Sequence, residues 1–138
     1  MKLQKIVSRL QELHPKEIDL SLDRIQNLCK RLGNPQDKLK AISIIGTNGK
    51  YSTIQAMFAI LKETNLKCNI YTSPHIKKIN ERFVFNNQQL NDDDLASLFE
   101  EIENANNNEP ITFFEILTAA YFLKASQHKD NINLIETG

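Results

Sequence analysis

Within eight residues, Gly46-Thr47-Asn48-Gly49-Lys50-Tyr51-Ser52-Thr53 gathers two glycines, a lysine and, directly after Tyr51, the paired hydroxyls of Ser52 and Thr53. Those types at that spacing suit the holding of phosphate groups. Gly46 ends an apolar run, and Gly49 permits a backbone turn with amides facing inward. Lys50 can reach terminal phosphates. Ser52 or Thr53 falls at a helix start, where unpaired N–H groups favour anions and a hydroxyl can ligate Mg²⁺. The strict phosphate-loop pattern is glycine, four residues, then Gly-Lys-[Ser/Thr]. Here its first glycine falls on Ile44 and its hydroxyl on Tyr51. The competing reading is an ordinary strand-to-helix turn with a solvated lysine.

Such a loop needs a strand before it and a helix after it, and both are predicted. "AISII" (41–45) is a short apolar run bounded by turn signals, as a buried strand is. Residues 52–63 carry Ile54, Met57, Phe58 and Leu61 on one helical stripe. Upstream, residues 3–13 put Leu3, Ile6, Val7, Leu10 and Leu13 on one face, and His14-Pro15 ends that helix. A second helix over 21–32 aligns Leu22, Ile25, Cys29 and Leu32, with Gly33 at the C-terminal cap and a turn at 34–38. Downstream, 67–72 and 81–86 read as strands, and 91–105 as an acid-capped helix with Leu95, Leu98, Phe99 and Ile102 inward. After an asparagine-rich loop, 112–125 is apolar nearly all round, as a deeply buried helix is, and 132–136 is a strand. This alternation predicts an α/β fold, a mostly parallel sheet with helices on both faces.

Bulk composition removes several classes. At 138 residues the length gives one domain at most. Seventeen basic residues cancel seventeen acidic ones, so no positive excess points to nucleic acid. The first seventeen residues carry charges every few positions, unlike a signal peptide, and no apolar run approaches the ~20 residues a membrane span needs. Cys29 and Cys68 lack metal-ligand spacing and read as free thiols of a reducing cytoplasm. Cys29 reads as a small core residue, and His14 and His128 as surface residues.

Further stretches follow the loop in order: "IYTSPHIKKINERF" (70–83), "ITFFEILTAAYFL" (111–123) and "LIETG" (134–138). With "GTNGKYST" they resemble the folylpolyglutamate synthase/dihydrofolate synthase family of the Mur ligase superfamily. That family's loop reads Gly-Thr-Asn-Gly-Lys-Gly-Ser, followed by Tyr-Thr-Ser-Pro-His, Asn-Glu-Arg, Thr-Phe-Phe-Glu and Glu-Val-Gly-Leu-Gly-Gly. "IDLSLDRIQNLCKRLGNPQ" (18–36) is similar to its entry helix. The family's hydroxyl stands two residues after the lysine, as Ser52 does here.

The resemblance implies a P-loop-type nucleotide-binding domain in an ATP-dependent ligase. Such an enzyme activates a dihydropteroate or reduced-folate carboxylate as an acyl phosphate, which the amine of L-glutamate attacks. It implies Gly46, Thr47, Asn48, Gly49, Lys50, Tyr51, Ser52 and Thr53 around ATP, with Lys50 catalytic. Ser52, Ser73 and Glu136 would ligate Mg²⁺. Thr112, Phe114, His75 and Arg82 would contact substrate; Phe113 and Phe114 are equally readable as core, and His75 and Arg82 as structural. It implies small-molecule partners only, with neither nucleic acid nor membrane, and a monomer when complete.

Tyr51 replaces the family's glycine, and Thr137 its valine. Gly138 falls inside the Glu-Val-Gly-Leu-Gly-Gly motif. The expectation is therefore that 1–138 forms the N-terminal part of the ATP-binding domain, inactive alone, without the glutamate-binding C-terminal domain. Two alternatives stay open: a relative acting on peptidoglycan precursors, and a degenerate or split remnant that at most binds nucleotide.

Overall fold

The computed structural model describes residues 2–13 and 21–137, with Leu13 described by its backbone alone. The predicted helix end at His14-Pro15, and His14 itself, lie outside the described residues. In chain order the elements are α1 Lys2–Leu13, α2 Asp23–Arg31, β1 Lys40–Ile44, α3 Lys50–Lys62, β2 Cys68–Tyr71, β3 Phe83–Phe85, β4 Gln88–Gln89, α4 Asp92–Asn106, α5 Phe113–Ser126 and β5 Ile132–Glu136. Two 3₁₀ turns, Pro35–Lys38 and Ile79–Arg82, join them. The described residues divide into two compact units, one within 1–37 and 91–124, the other within 38–90 and 125–138.

In the helical unit, α1 and α2 both pack on α4. Leu3, Ile6 and Leu10 of α1 are buried, as are Leu95, Leu98, Phe99 and Ile102 of α4. Each such side chain contributes about 1.5–3 kcal/mol when fully buried. The start of α4 is fixed by Asn91, whose Oδ1 accepts from the Asp94 amide at 2.8 Å. Asp92, Asp93 and Asp94 then fill the first turn, where negative charge meets the positive helix end. The second helix begins later than its pattern suggested. Leu22 is its N-cap and is 64% exposed, while Leu28 joins Cys29 in the core. At 100° per residue, Leu22 and Leu28 flank the stripe of Ile25, Cys29 and Leu32 on opposite sides, and the core lies on the Leu28 side.

The sheet unit has strand order β1-β5-β2-β3-β4. β1, β5 and β2 run parallel, and β3 and β4 add an antiparallel hairpin. The sheet is thus mixed and mostly parallel. The hairpin was not anticipated. Asn86 (φ 53°) and Asn87 (φ 67°) make its turn in the left-handed region that asparagine tolerates. The predicted strand over 81–86 shrinks to Phe83–Phe85 because the 3₁₀ turn takes Glu81 and Arg82.

One sheet face presents Ile44, Cys68, Ile70 and Leu134 to Ile54 of α3, with Met57, Phe58, Leu61, Val84 and Ile132 packed around them. The predicted stripe of α3 is therefore the packed one. The expected burial of β1 is corrected: of its five residues only Ile44 is buried, and Ile42 is 43% exposed. Among the described residues β1 is an edge strand, so an apolar run did not mean burial on both sides.

Strand alternation sends Asn69 and Asn133, which lie opposite each other, to the other face. Both are buried. Asn69 Nδ2 donates to Asn133 Oδ1 at 3.1 Å, Asn131 Nδ2 donates to Asn69 Oδ1 at 3.1 Å, and Asn133 Nδ2 donates to the Lys40 carbonyl at 3.0 Å. These buried amides are satisfied, which keeps them from penalising the fold. His128 is corrected from a surface residue to a half-buried one. Its Nδ1 lies 3.1 Å from Asn86 Nδ2 and its ring stacks on Phe85 at 6.4 Å.

Candidate functional site

Register decides where the chemistry gathers. Ile44 lies opposite Glu136, and Tyr71 opposite Ile135, so parallel strands β1, β5 and β2 deliver their carboxyl ends to one edge of the sheet. That edge is where open parallel sheets take ligands. The loop Ile45–Gly49, Glu136 with Thr137, and Thr72-Ser73 all leave from it.

The loop has the backbone that its glycines permit. Gly46 sits at φ 154° and Gly49, the N-cap of α3, at φ 76°. Among the described residues, no side chain caps the start of α3. Its first intrahelical bond runs from the Thr53 amide to the Gly49 carbonyl at 2.9 Å. The amides of Lys50, Tyr51 and Ser52 therefore have no acceptor within the helix, the property that makes a helix N-terminus an anion site. Thr47, Asn48, Ser52 and Thr53 are exposed.

Lys50 is the first residue of α3 and points to the end of β5. Its Nζ donates to the Thr137 carbonyl at 3.1 Å and lies 3.9 Å from Glu136 Oε1. The two side chains are only 19% and 9% exposed. A lysine this covered is not the solvated lysine of an ordinary turn. Thr137, where the family has valine, ties β5 to β1: its amide donates to the Ile44 carbonyl at 3.0 Å and its hydroxyl to the same oxygen at 3.3 Å. The hydroxyl that valine lacks thus adds a bond between the two strands.

Tyr51 lies inside the first turn of α3 with its side chain 63% exposed. Glycine's freedom is not used there.

After β2, Ser73 is half-buried and its bond to Pro74 is cis. Arg82 Nε donates to His75 Nδ1 at 2.8 Å. Burial, then the Arg82 charge, hold His75 below the usual imidazole range, with Glu81 acting the other way. Glu81 is a residue that the sequence reading left unassigned. Its carboxylate accepts from the amides of Ile76 at 2.8 Å, Lys77 at 3.1 Å and Lys78 at 3.1 Å. The Ile76 bond leads in holding its pKa low.

Ser52, Ser73 and Glu136 offer two hydroxyls and a carboxylate, an all-oxygen donor set that suits a hard divalent cation. Among the described residues, no group of three or more His, Cys, Asp or Glu side chains could hold a metal ion. A softer metal has no ligand set there.

Thr112 and Phe114 belong to the helical unit. The Thr112 hydroxyl accepts from the Glu115 amide at 3.2 Å, and Glu115 Oε1 accepts from the Thr112 amide at 3.0 Å. This is a reciprocal cap on α5. Arg24 Nε donates to the same carboxylate oxygen at 2.9 Å. Thr112 is therefore engaged by its own helix. Phe113 is half-buried, and Phe114 is 54% exposed. The Thr-x-x-Glu spacing of "TFFE" was the signal for the cap.

Cys29 and Cys68 are buried free thiols whose pKa burial raises, as inert core thiols behave.

No protein-family model matches the chain. It is 32% identical over 132 residues to the dihydrofolate synthase/folylpolyglutamate synthase of Escherichia coli, covering 96% of this chain and 31% of that protein. To the Haemophilus influenzae protein of the same name it is 34% identical over 132 residues, covering 96% and 30%. Among solved structures, the bifunctional folylpolyglutamate synthase/dihydrofolate synthase of Yersinia pestis, complexed with AMPPNP and Mn ion, matches with a TM-score of 0.89 at 29% identity. The match covers 99% of this chain and 33% of that one. The Escherichia coli protein in complex with DHPP and ADP matches with a TM-score of 0.86 at 32% identity, covering 99% and 33%. The chain spans about a third of the length of the relatives it matches. Over that length, both sequence and fold show that the chain belongs to the folylpolyglutamate synthase/dihydrofolate synthase family.

Proposed function

We propose that the chain is the phosphate-binding segment of an ATP-dependent ligase that joins L-glutamate to the carboxylate of dihydropteroate or a reduced folate. One observation carries this: Lys50, first in α3 after the Gly46–Gly49 loop, is covered and aimed at the end of β5 beside Glu136. Gly46, Thr47, Asn48, Gly49, Tyr51, Ser52 and Thr53 surround the phosphates with backbone amides and hydroxyls. Lys50 offsets the charge that builds on the transferred phosphoryl oxygens, which is most of what phosphoryl transfer asks of a protein. Ser52, Ser73 and Glu136 would hold Mg²⁺, which supplies further charge neutralisation when bound. His75 and Arg82 lie on the same sheet unit as candidate substrate contacts. Phe114 offers an exposed ring for an aromatic substrate, whereas Thr112 shapes the turn that presents it. Residues 1–138 form the N-terminal part of the ATP-binding domain, and glutamate is held by a further domain. We place the protein in the cytoplasm, in keeping with its two free thiols, as a monomer with no nucleic-acid or membrane partner. No helix among the described residues is long and apolar enough to cross a membrane.

Calorimetric titration with ATP and Mg²⁺ tests the site. Lys50→Ala removes a charge-assisted bond worth about 1.5–3 kcal/mol, so affinity falls roughly tenfold to a hundredfold. Unchanged binding in Lys50→Ala sinks the phosphate-loop assignment. Turnover in the complete protein, offered dihydropteroate, a reduced folate and a peptidoglycan precursor with glutamate and ATP, decides the substrate. Activity on the last alone overturns the folate reading.

A further inference from the structure

The loop leaving β2 contains a hydrogen bond with a chemical consequence of its own. Arg82 Nε donates to His75 Nδ1 at 2.8 Å. A guanidinium has donors and no acceptor. Nδ1 must therefore offer its lone pair, and the ring hydrogen sits on Nε2. A hydrogen on Nδ1 would face the Arg82 hydrogen across that distance. His75 is thereby a one-sided donor, its remaining polar edge an N–H with no acceptor capacity.

The surrounding loop keeps this arrangement in place. The Glu81 carboxylate is taken up by the amides of residues 76, 77 and 78. The Thr72 hydroxyl donates to the Glu81 carbonyl at 3.4 Å, and the Thr72 amide donates to the Arg82 carbonyl at 3.3 Å. Both ends of the loop are thus fastened at the carboxyl end of β2. Over residues 75–82, Lys77, Lys78 and Arg82 outnumber the single carboxylate, and that carboxylate's lone pairs are turned onto backbone amides. A donor edge in a positive setting, at the ligand-taking edge of a parallel sheet, selects an oxygen bearing negative charge.

We propose that His75 is a fixed Nε2–H donor to an anionic oxygen of a bound ligand, and that Arg82 is the positioning residue that sets its tautomer. The proposal rests on the ligase reading and deepens it. With L-glutamate assigned to a further domain, two ligands of that reaction carry such an oxygen here: the nucleotide, on its terminal phosphoryl group, and the acid substrate, on its carboxylate.

Nitrogen NMR of the ¹⁵N-histidine-labelled chain at one neutral pH reads the tautomer directly. The expected spectrum shows His75 with Nε2 protonated and Nδ1 bare. Arg82→Met is expected to mix the tautomers, and Arg82→Lys, which keeps a donor, to restore the single form in part. An Nδ1–H tautomer in the unmodified chain overturns the proposal without any variant. So does a single Nε2–H form that persists in a folded Arg82→Met chain. Inorganic tripolyphosphate and 4-aminobenzoate are then added separately. A shift of the His75 Nε2 resonance with the first alone assigns the oxygen to the nucleotide, and with the second alone to the acid substrate. A shift with both supports a general anion donor, and a shift with neither overturns the recognition role. ATP binding in Lys50→Ala reports on the ligase reading without involving His75, so the two failures are distinguishable.

Discussion

At Tyr51 the backbone is helical and the phenol ring stands 63% exposed, on the first turn of a helix whose N-cap, Gly49, carries the left-handed conformation. The demand for glycine in this loop therefore falls on Gly49 and not on the residue after the lysine. Tyr51→Gly is expected to leave ATP affinity within about twofold while lowering stability by up to ~1 kcal/mol, the helix penalty of glycine near a terminus. A large gain in affinity in that variant, read by calorimetry, would show the ring to be an obstruction. Glu81 gives a pH-dependent counterpart. Its folded pKa is depressed, chiefly by the Ile76 amide, so its contribution is present above the unfolded carboxylate pKa. It is lost as pH falls through the lowered folded value. Amide exchange at Ile76, Lys77 and Lys78 should hence accelerate, relative to the rest of β2 and β3, only below the ordinary glutamate range. Glu81→Gln should weaken that protection already at neutral pH. Exchange at these amides that ignores both changes would remove Glu81 from the account of the loop.

Elements that owe their position to local pattern were legible in the sequence; those that depend on partners elsewhere in the chain were less so. The stripe of α3, the acidic start of α4 and the bounds of β5 follow from side-chain period, capping chemistry and turn signals. Leu22 shows the limit, since a residue at the margin of a stripe is decided by the packing it meets, not by its spacing. The β3–β4 hairpin escaped because Asn-Asn is a weaker turn signal than Asn-Gly, and two residues of Gln88–Gln89 carry no pattern. "TFFE" was read through its aromatics when its threonine and glutamate form a cap. Thr112→Ala should lower stability by about 1 kcal/mol in urea denaturation, with Thr112→Ser close to neutral, as expected of an N-cap hydroxyl. Equal losses in both variants would point away from capping. For the candidate site, the glycine turn and the place of Lys50 at its end were legible because glycine and lysine are chemically specific. The partner of Lys50 at the Thr137 carbonyl was not, since a backbone oxygen leaves no trace in the residue code.

At the scale of the molecule, β1 has one hydrogen-bonded neighbour, β5, among the described residues. Its outer side is a row of main-chain donors and acceptors, with Ile42 at 43% and Ile45 at 80% exposure beside it. Open edges of this kind recruit strands. Ile42→Lys places a charge there, and should suppress any concentration-dependent growth in light scattering of the isolated chain. Scattering that is equal in both would clear the edge. The Ile45–Gly49 loop is the direct continuation of β1, so a strand that zips onto β1 would pull on the backbone of Ile45 and Gly46. Where such recruitment occurs, the loop's behaviour would depend on protein concentration, and a dilute and a concentrated sample would describe two different loops.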